Sequence, residues 1–337
     1  MTKKTVFTIL QVVIFTALAV FLIVWQMREM TDTERAEMFA SIESVRPWFL
    51  VPVVIVGFCS HFFRALRWKL LLEPLDIRPT NANTFFAVMI GYLVNTVLPR
   101  FGEVAKCTVL AKYEKVPADK MVGTIVAERA WDLVCLLVII FISIVFQVSL
   151  IGEYALSLWN KLQSGTGHTL LYITIAVTTI LVLIILFYQR IKRTKVGRAI
   201  KGIGDGVKSI MKMKRRWLFL GYTFVIWGSY LFMILLGMWG MPATDDLGPL
   251  AAITILAFGS ISIIITPGGI GAYPPIVGAI LMLYGIKMVE GNAFGWVAWS
   301  AQTAVIILFG IISLILLPLY NRKPHDAQTG MDTTQNN

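Results

Sequence analysis

The sequence predicts an all-α, polytopic membrane protein with about six full transmembrane helices and two opposed, broken re-entrant hairpins. Three observations predict it. First, 57% of the 337 residues are hydrophobic and the mean hydropathy is +0.75, above the roughly 45–50% apolar content of soluble domains. Several apolar runs reach the ~20 residues that cross a ~30 Å hydrocarbon core. Second, two apolar regions are interrupted by polar, Gly/Pro-containing sequence, Gly91–Glu103 and Thr266–Pro275. Irregular backbone survives at membrane depth only where protein or a wet cavity covers it. A pair of such breaks, one per half, points to a binding site between inverted repeats. Third, the basic charge is lopsided. Arg190–Arg216 holds eleven Lys/Arg and a single acid, Asp205.

The elements follow in order. Uninterrupted spans are Val6–Gln26, Pro47–Phe63, Met121–Gln147, Thr169–Gln189, Trp217–Met241 and Asn292–Leu317. The interrupted regions are Thr84–Leu110 and Pro249–Ile286. A simple count gives eight helices. With Lys3 and Lys4 inside, that count places the basic Arg190–Arg216 loop outside, against the positive-inside rule. If Thr84–Leu110 instead breaks at Leu98–Gly102 and returns to its own side, the loop falls inside. Met27–Arg46, with five acids and three bases, then falls outside with Asp245 and Asp246. Pro249–Ile286 must also return, in the opposite sense. Both termini are then cytoplasmic, in an inner membrane. Val6–Gln26 is too long for a signal-peptide core, and no cleavage site follows. One transmembrane domain, 1–320, fills the chain, and 321–337 is a polar, disordered tail.

Within the basic stretch, Val196, Ile200, Ile203, Val207 and Ile210 recur at helical spacing. This fits either a helix on an anionic lipid surface or a charged loop that fixes topology. The net charge of +11 therefore does not call for nucleic acid. Cys59, Cys107 and Cys135 are isolated, the pattern of buried thiols rather than of disulfides or zinc.

Candidate site residues cluster at the breaks. In the first, Pro99 ends a helix and Gly102 permits a tight path. Arg100 is suited to bidentate phosphate binding, and Glu103 is its partner or a protonatable switch. Asn95 and Lys106 flank them. In IVAERAWDLVCL, Glu128 and Asp132 share a face, and Arg129 is placed to pair Asp132 at i, i+3. These charges lie inside the membrane if the span starts near Met121, and at its surface if it starts at Leu133. Arg64 and Arg67, one turn apart beside Trp68, fit positive-inside charge at the interface or a phosphate site facing the first hairpin. The second break, with Pro267, Gly268, Gly269, Gly271 and Tyr273, carries no charge. It reads as a structural tip or as a gate. No nucleotide-binding or hydrolase motif is present, which argues against an ATP-driven pump; no cofactor or metal is expected.

Four segments together resemble a known family: RALRWKLLL at 64–72, NTVLPRFGEVAK at 95–106, AERAWD at 127–132 and TPGGIGAYP at 266–274. It is the flippase-like membrane domain that begins lysylphosphatidylglycerol synthases (the multiple peptide resistance factor) and also stands alone. The family's first break usually reads Asn-x-x-x-Pro-x-Arg-x-Gly-Glu; here Arg100 directly follows Pro99. The resemblance covers roughly residues 5–320, and the soluble aminoacyltransferase domain lies outside it. It implies translocation of a lipid with an anionic headgroup, an anionic phospholipid or a polyprenyl-phosphate-linked glycolipid. Arg64, Arg67, Asn95, Arg100, Lys106 and Arg129 would be on the substrate, with Glu103, Glu128 and Asp132 as exchangeable partners. The alternatives are an accessory subunit for a membrane glycosyltransferase or lipid-modifying enzyme, and a membrane-embedded transferase using the carboxylates.

Overall fold

A computed structural model describes residues 23–98, 101–147 and 204–322, with isolated positions 17 and 21. Among the described residues every regular element is helical. The predicted spans Val6–Gln26 and Thr169–Gln189, the basic run up to residue 203, Pro99, Arg100 and residues 323–337 lie largely or wholly outside them.

The elements are α1 (Asp32–Glu43), α2 (Leu50–Leu72), α3 (Asn81–Val97), α4 (Gly102–Glu114), α5 (Ala118–Phe146), α6 (Arg216–Gly240), α7 (Pro249–Ile265), α8 (Tyr273–Met282) and α9 (Met288–Tyr320). Four of them, α2 with its 3-10 extensions, α5, α6 and α9, are long and apolar enough to cross a membrane. The other apolar arms are shorter. At 1.5 Å per residue, the 17-residue α3 and α7 reach only about 25 Å, and neither partner arm continues in the same direction.

Polar contacts at the two ends show that both interrupted regions turn back. At one end, Glu114, closing α4, accepts hydrogen bonds from Thr80 N (2.9 Å), Thr80 Oγ1 (2.8 Å) and Asn83 Nδ2 (2.8 Å), which open α3. Asn83 also exchanges amide bonds with Asn321 at the end of α9, and Arg215 pairs with Glu73. At the opposite end, Tyr284, just past α8, bonds Thr254 near the start of α7 (3.0 Å) and Gln147 after α5. Arg46 pairs with Asp245 there (3.0 Å). The hairpins α3–α4 and α7–α8 therefore enter from opposite ends, as predicted. The tip of the second lies against α3, and Trp299 donates to Gly268 O (2.8 Å).

Local chemistry explains the breaks. Asn95 Oδ1 accepts from Gly102 N (2.7 Å), giving the first free N–H of α4 a partner inside the turn. In the second break Gly268, Gly269 and Gly271 hold φ of 66°, 79° and 72°, values open to glycine at no steric cost. Close approaches of glycine fit the long α9 against both hairpins. A Cβ on Gly310 would stand 2.7 Å from Leu93 Cβ, and one on Gly295 would stand 2.5 Å from Pro274 Cα. Among the described residues, two apolar cores surround the hairpins and a smaller one joins Phe49, Val53, Leu236 and Val305. One joins Trp68, Leu72, Met89, Leu110 and Phe219 around the first hairpin. The other joins Met238, Ile255, Val277 and Phe294 around the second.

Two expectations are corrected. The span predicted to end at Phe63 runs helically to Leu72, because Arg64 and Arg67 are held inside the protein rather than at water. The described part of the basic stretch, 204–211, is helical, but it does not lie free on a lipid surface. Ile210 is fully buried in the first core, and a Cβ on Gly206 would stand 3.1 Å from Ala127 Cα of α5.

Helix α1 illustrates local capping. Thr31 Oγ1 accepts from Glu34 N (3.2 Å), and Glu34 Oε2 accepts from Thr31 N (2.8 Å), a reciprocal capping box. The Thr31 backbone N–H, and then its hydroxyl, hold the exposed Glu34 carboxyl below the usual carboxylate range. A lowered folded-state pKa makes the contribution complete above the unfolded value and lost as pH falls through the lowered one. Glu34→Ala is expected to speed amide exchange in the first turn of α1 at neutral pH and to change less in strong acid, where the wild-type carboxyl is protonated. Hydrogen-exchange mass spectrometry reads both.

Candidate functional site

The first hairpin and α5 enclose a narrow cleft. Its lining includes Tyr92 and Asn95 from α3, Gly102, Glu103 and Lys106 from α4, and Glu128 and Arg129 from α5. Glu128 stands about 15 Å along α5 from its Ala118 end. The helix thus begins at Ala118, well before Leu133, and Glu128 is buried among its neighbours while Arg129 stays half exposed.

Behind the cleft the charges form a connected network. Lys106 Nζ meets Glu128 Oε2 at 2.8 Å and sits 3.9 Å from the Trp68 ring centre, a cation–π arrangement. Trp68 is fixed by donating to Thr124 Oγ1 (3.0 Å). Arg64 Nη1 reaches Asp132 (2.9 Å) and Glu128 (3.4 Å), while its Nη2 donates to Tyr230 (3.0 Å). Arg67 reaches Asp132 (2.7 Å) and Glu128 (3.7 Å) and donates to Thr223 (3.3 Å). The side chains of Arg67 and Glu128 are 0% and 2% exposed. At the mouth, Arg129 pairs with Glu103 (2.9 Å), and the Arg129 side chain is 49% exposed.

Helix geometry explains the convergence. Arg64, Arg67 and Trp68 share one face of α2 at i, i+3 and i+4, and Glu128 and Asp132 share one face of α5. Burial of such charges is tolerated only when each is paired and hydrogen-bonded. Here each carboxylate meets two or more cations, except Glu103, which pairs with Arg129 alone among the described residues.

The predicted residues are therefore distributed as follows. Arg64, Arg67, Lys106, Glu128 and Asp132 come together, and Glu103 with Arg129 stands in front of them. Arg64 and Arg67 are not interfacial charges, and Trp68 is fully buried. The expected Arg129–Asp132 pair is replaced by Arg129–Glu103, because Asp132 points to the two arginines. Asn95 lines the cleft, but its carbonyl oxygen is committed to the turn. Tyr273 is buried with its ring against Gly259 and takes no part in this cleft. The three cysteines are free. Sequence reasoning missed Tyr92 on the cleft wall and Tyr230 on Arg64. Tyr92, one turn before Asn95, was detectable by helical spacing; Tyr230 lies in an apolar run with no local signal.

Two opposed re-entrant hairpins set among membrane-length helices, with an ionic cleft beside the first, define a polytopic helical membrane protein. Residues 8–310 match the family described as the lysylphosphatidylglycerol synthase TM region, and the chain belongs to that family. It is also similar to the UPF0104 membrane protein MJ1595 of Methanocaldococcus jannaschii. That likeness is 25% identity over 92 residues, 26% of this chain and 27% of the archaeal protein's length. No solved structure matches.

Proposed function

We propose that the protein moves a lipid with an anionic headgroup across the cytoplasmic membrane, with the cleft holding the headgroup phosphate. One observation carries this reading: a buried ionic network opens onto a cleft among helices built to lie in lipid. Intramembrane charge is expensive and marks substrate pathways. A network needed only for packing has no cause to line a cleft. In this reading Lys106 and Arg129 take the phosphate, and Glu128 and Glu103 are the partners from which they exchange. Arg64, Arg67 and Asp132 fix Glu128 from behind. The end marked by Glu73, Glu114 and Arg215 faces the cytoplasm, since the basic stretch leads into Arg215. The opposed hairpins provide the two half-paths of alternating access.

The test is translocation by purified protein in liposomes carrying an acyl-labelled fluorescent phospholipid, read by dithionite quenching. Wild type is expected to expose inner-leaflet lipid faster than protein-free liposomes. Lys106→Met removes a charge-assisted bond and is expected to slow exchange by about 10–100-fold, from ~1.5–3 kcal/mol of lost interaction. Equal rates for wild-type and empty liposomes would defeat translocation and favour an accessory subunit acting beside a lipid-modifying enzyme.

A further inference from the structure

We infer that Trp68 is the positioning residue for Lys106: its ring carries the ammonium while Glu128 is exchanged for the headgroup phosphate. This rests on the reading of the cleft as a headgroup site and adds the residue that makes the exchange fast. Among the described residues, Lys106 is held from two sides. Its Nζ meets Glu128 Oε2 at 2.8 Å and stands 3.9 Å from the centre of the Trp68 ring. The arginines behind it are farther from aromatic faces. Arg64 lies 5.8 Å from the ring centres of Tyr92 and Tyr230, and Arg67 lies 5.4 Å from that of Phe219. Trp68 is fully buried and tied in place. Its indole N–H donates to Thr124 Oγ1 (3.0 Å), and the Thr124 hydroxyl donates in turn to Met121 O (2.6 Å). Thr124 and Glu128 are one turn apart on one face of α5. That stretch therefore sets both walls of the seat, Glu128 directly and the ring through Thr124.

The two walls act differently when a phosphate arrives. Glu128 is an anion and must give up the ammonium to the phosphate. Between the two anions the ammonium passes through a moment with neither, and an unpaired charge in a poorly solvated setting is costly. The face of an indole attracts a cation most strongly where water is excluded. It carries no net charge, so it neither competes with the phosphate nor has to leave. An ammonium has three donors. One serves Glu128 and the ring faces a second, which leaves a third for the cleft that Lys106 lines. The ring holds the ammonium in the empty site, during the exchange and in the loaded site. Its pull matters most during the exchange, when no anion screens the charge. Arg64 and Arg67 lack this freedom, because each guanidinium is shared between both network carboxylates and a hydroxyl. Trp68 therefore governs how fast the headgroup exchanges more than how tightly it is held.

The experiment places mono-, di- and trifluorotryptophan at position 68 alone of the full chain. Each fluorine draws electrons from the ring face and weakens its hold on a cation, while the ring shape and the indole N–H are kept. The purified proteins are compared with an acyl-labelled fluorescent phosphatidylglycerol. Dithionite quenching in liposomes reads the exchange rate, and native mass spectrometry reads the lipid retained. Exchange is expected to slow in steps along the series, by about tenfold at the third fluorine, with far less change in the lipid retained. The same series in Lys106→Met is expected to be flat, since no cation then lies over the ring. A ring that only fills space gives a flat series in both backgrounds, and that result overturns the role of Trp68 while the headgroup site stands. A slope that persists in Lys106→Met, or retention that falls in step with the rate, overturns it too. Wild-type exchange no faster than in protein-free liposomes overturns the headgroup reading and this inference with it.

Discussion

Arg67→Ala is expected to destabilise the protein by about 3–5 kcal/mol, the cost of removing one partner of a buried pair. The Arg67 side chain is 0% exposed and binds Asp132 at 2.7 Å, Glu128 at 3.7 Å and Thr223 at 3.3 Å. Its guanidinium also lies 5.4 Å from the Phe219 ring centre. Truncation removes a large buried volume and leaves two carboxylates sharing Arg64 and Lys106. Arg67→Lys keeps the charge but cannot reproduce the planar fork that serves Asp132 and Thr223 together, and is expected to recover only part of the loss. Lys69→Ala, two residues away but only half-buried and bonded to Asn81 at the surface, is expected to change stability by less than about 0.5 kcal/mol. Thermal unfolding of the three purified proteins in one detergent orders them. Equal midpoints for Arg67→Ala and Lys69→Ala would show that Arg67 is not part of a buried network.

The same arginines show where sequence reasoning reached its limit. The breaks were legible because glycine, proline and polar residues inside apolar runs have few structural explanations in a membrane. The opposed sense of the hairpins was legible from the placement of charge, and the contacts of Glu114 with Thr80 and of Tyr284 with Thr254 agree with it. The partner of each charge was not legible. Arg64 and Glu128 are 64 residues apart, and nothing local to either names the other. A basic pair after an apolar run looks the same whether it reaches water or turns inward. The local i, i+3 rule proposed Arg129 for Asp132. The bundle instead brought two arginines of α2 onto Asp132 and left Arg129 for Glu103. Propensity and spacing describe one helix at a time; the ionic cleft is a property of three.

Gly102→Ala tests the joint on which that cleft depends. A Cβ at residue 102 would lie 2.1 Å from Gly91 O and 2.4 Å from Asn95 Cγ, far inside contact distance. Gly91 O belongs to the backbone of α3, so it cannot swing away as a side-chain end would. Relief requires α3 and α4 to separate and Asn95 to leave Gly102 N, a bond of 2.7 Å. Overpacking of this kind costs about 1–3 kcal/mol or more, and the broken hydrogen bond adds about 1 kcal/mol. Gly123→Ala in α5 is the matched control. Nothing lies within 4 Å of the added methyl, and alanine in a helix interior is expected to stabilise by roughly 0.5–1 kcal/mol. The two substitutions add the same atom and are expected to move the unfolding midpoint in opposite directions. Spreading the hairpin also carries Lys106 away from Glu128, so Gly102→Ala is expected to lose lipid exchange while still inserting in the membrane. A Gly102→Ala protein with wild-type midpoint and exchange would show that the two arms do not touch at Gly91, and the cleft between them and α5 would lose its wall.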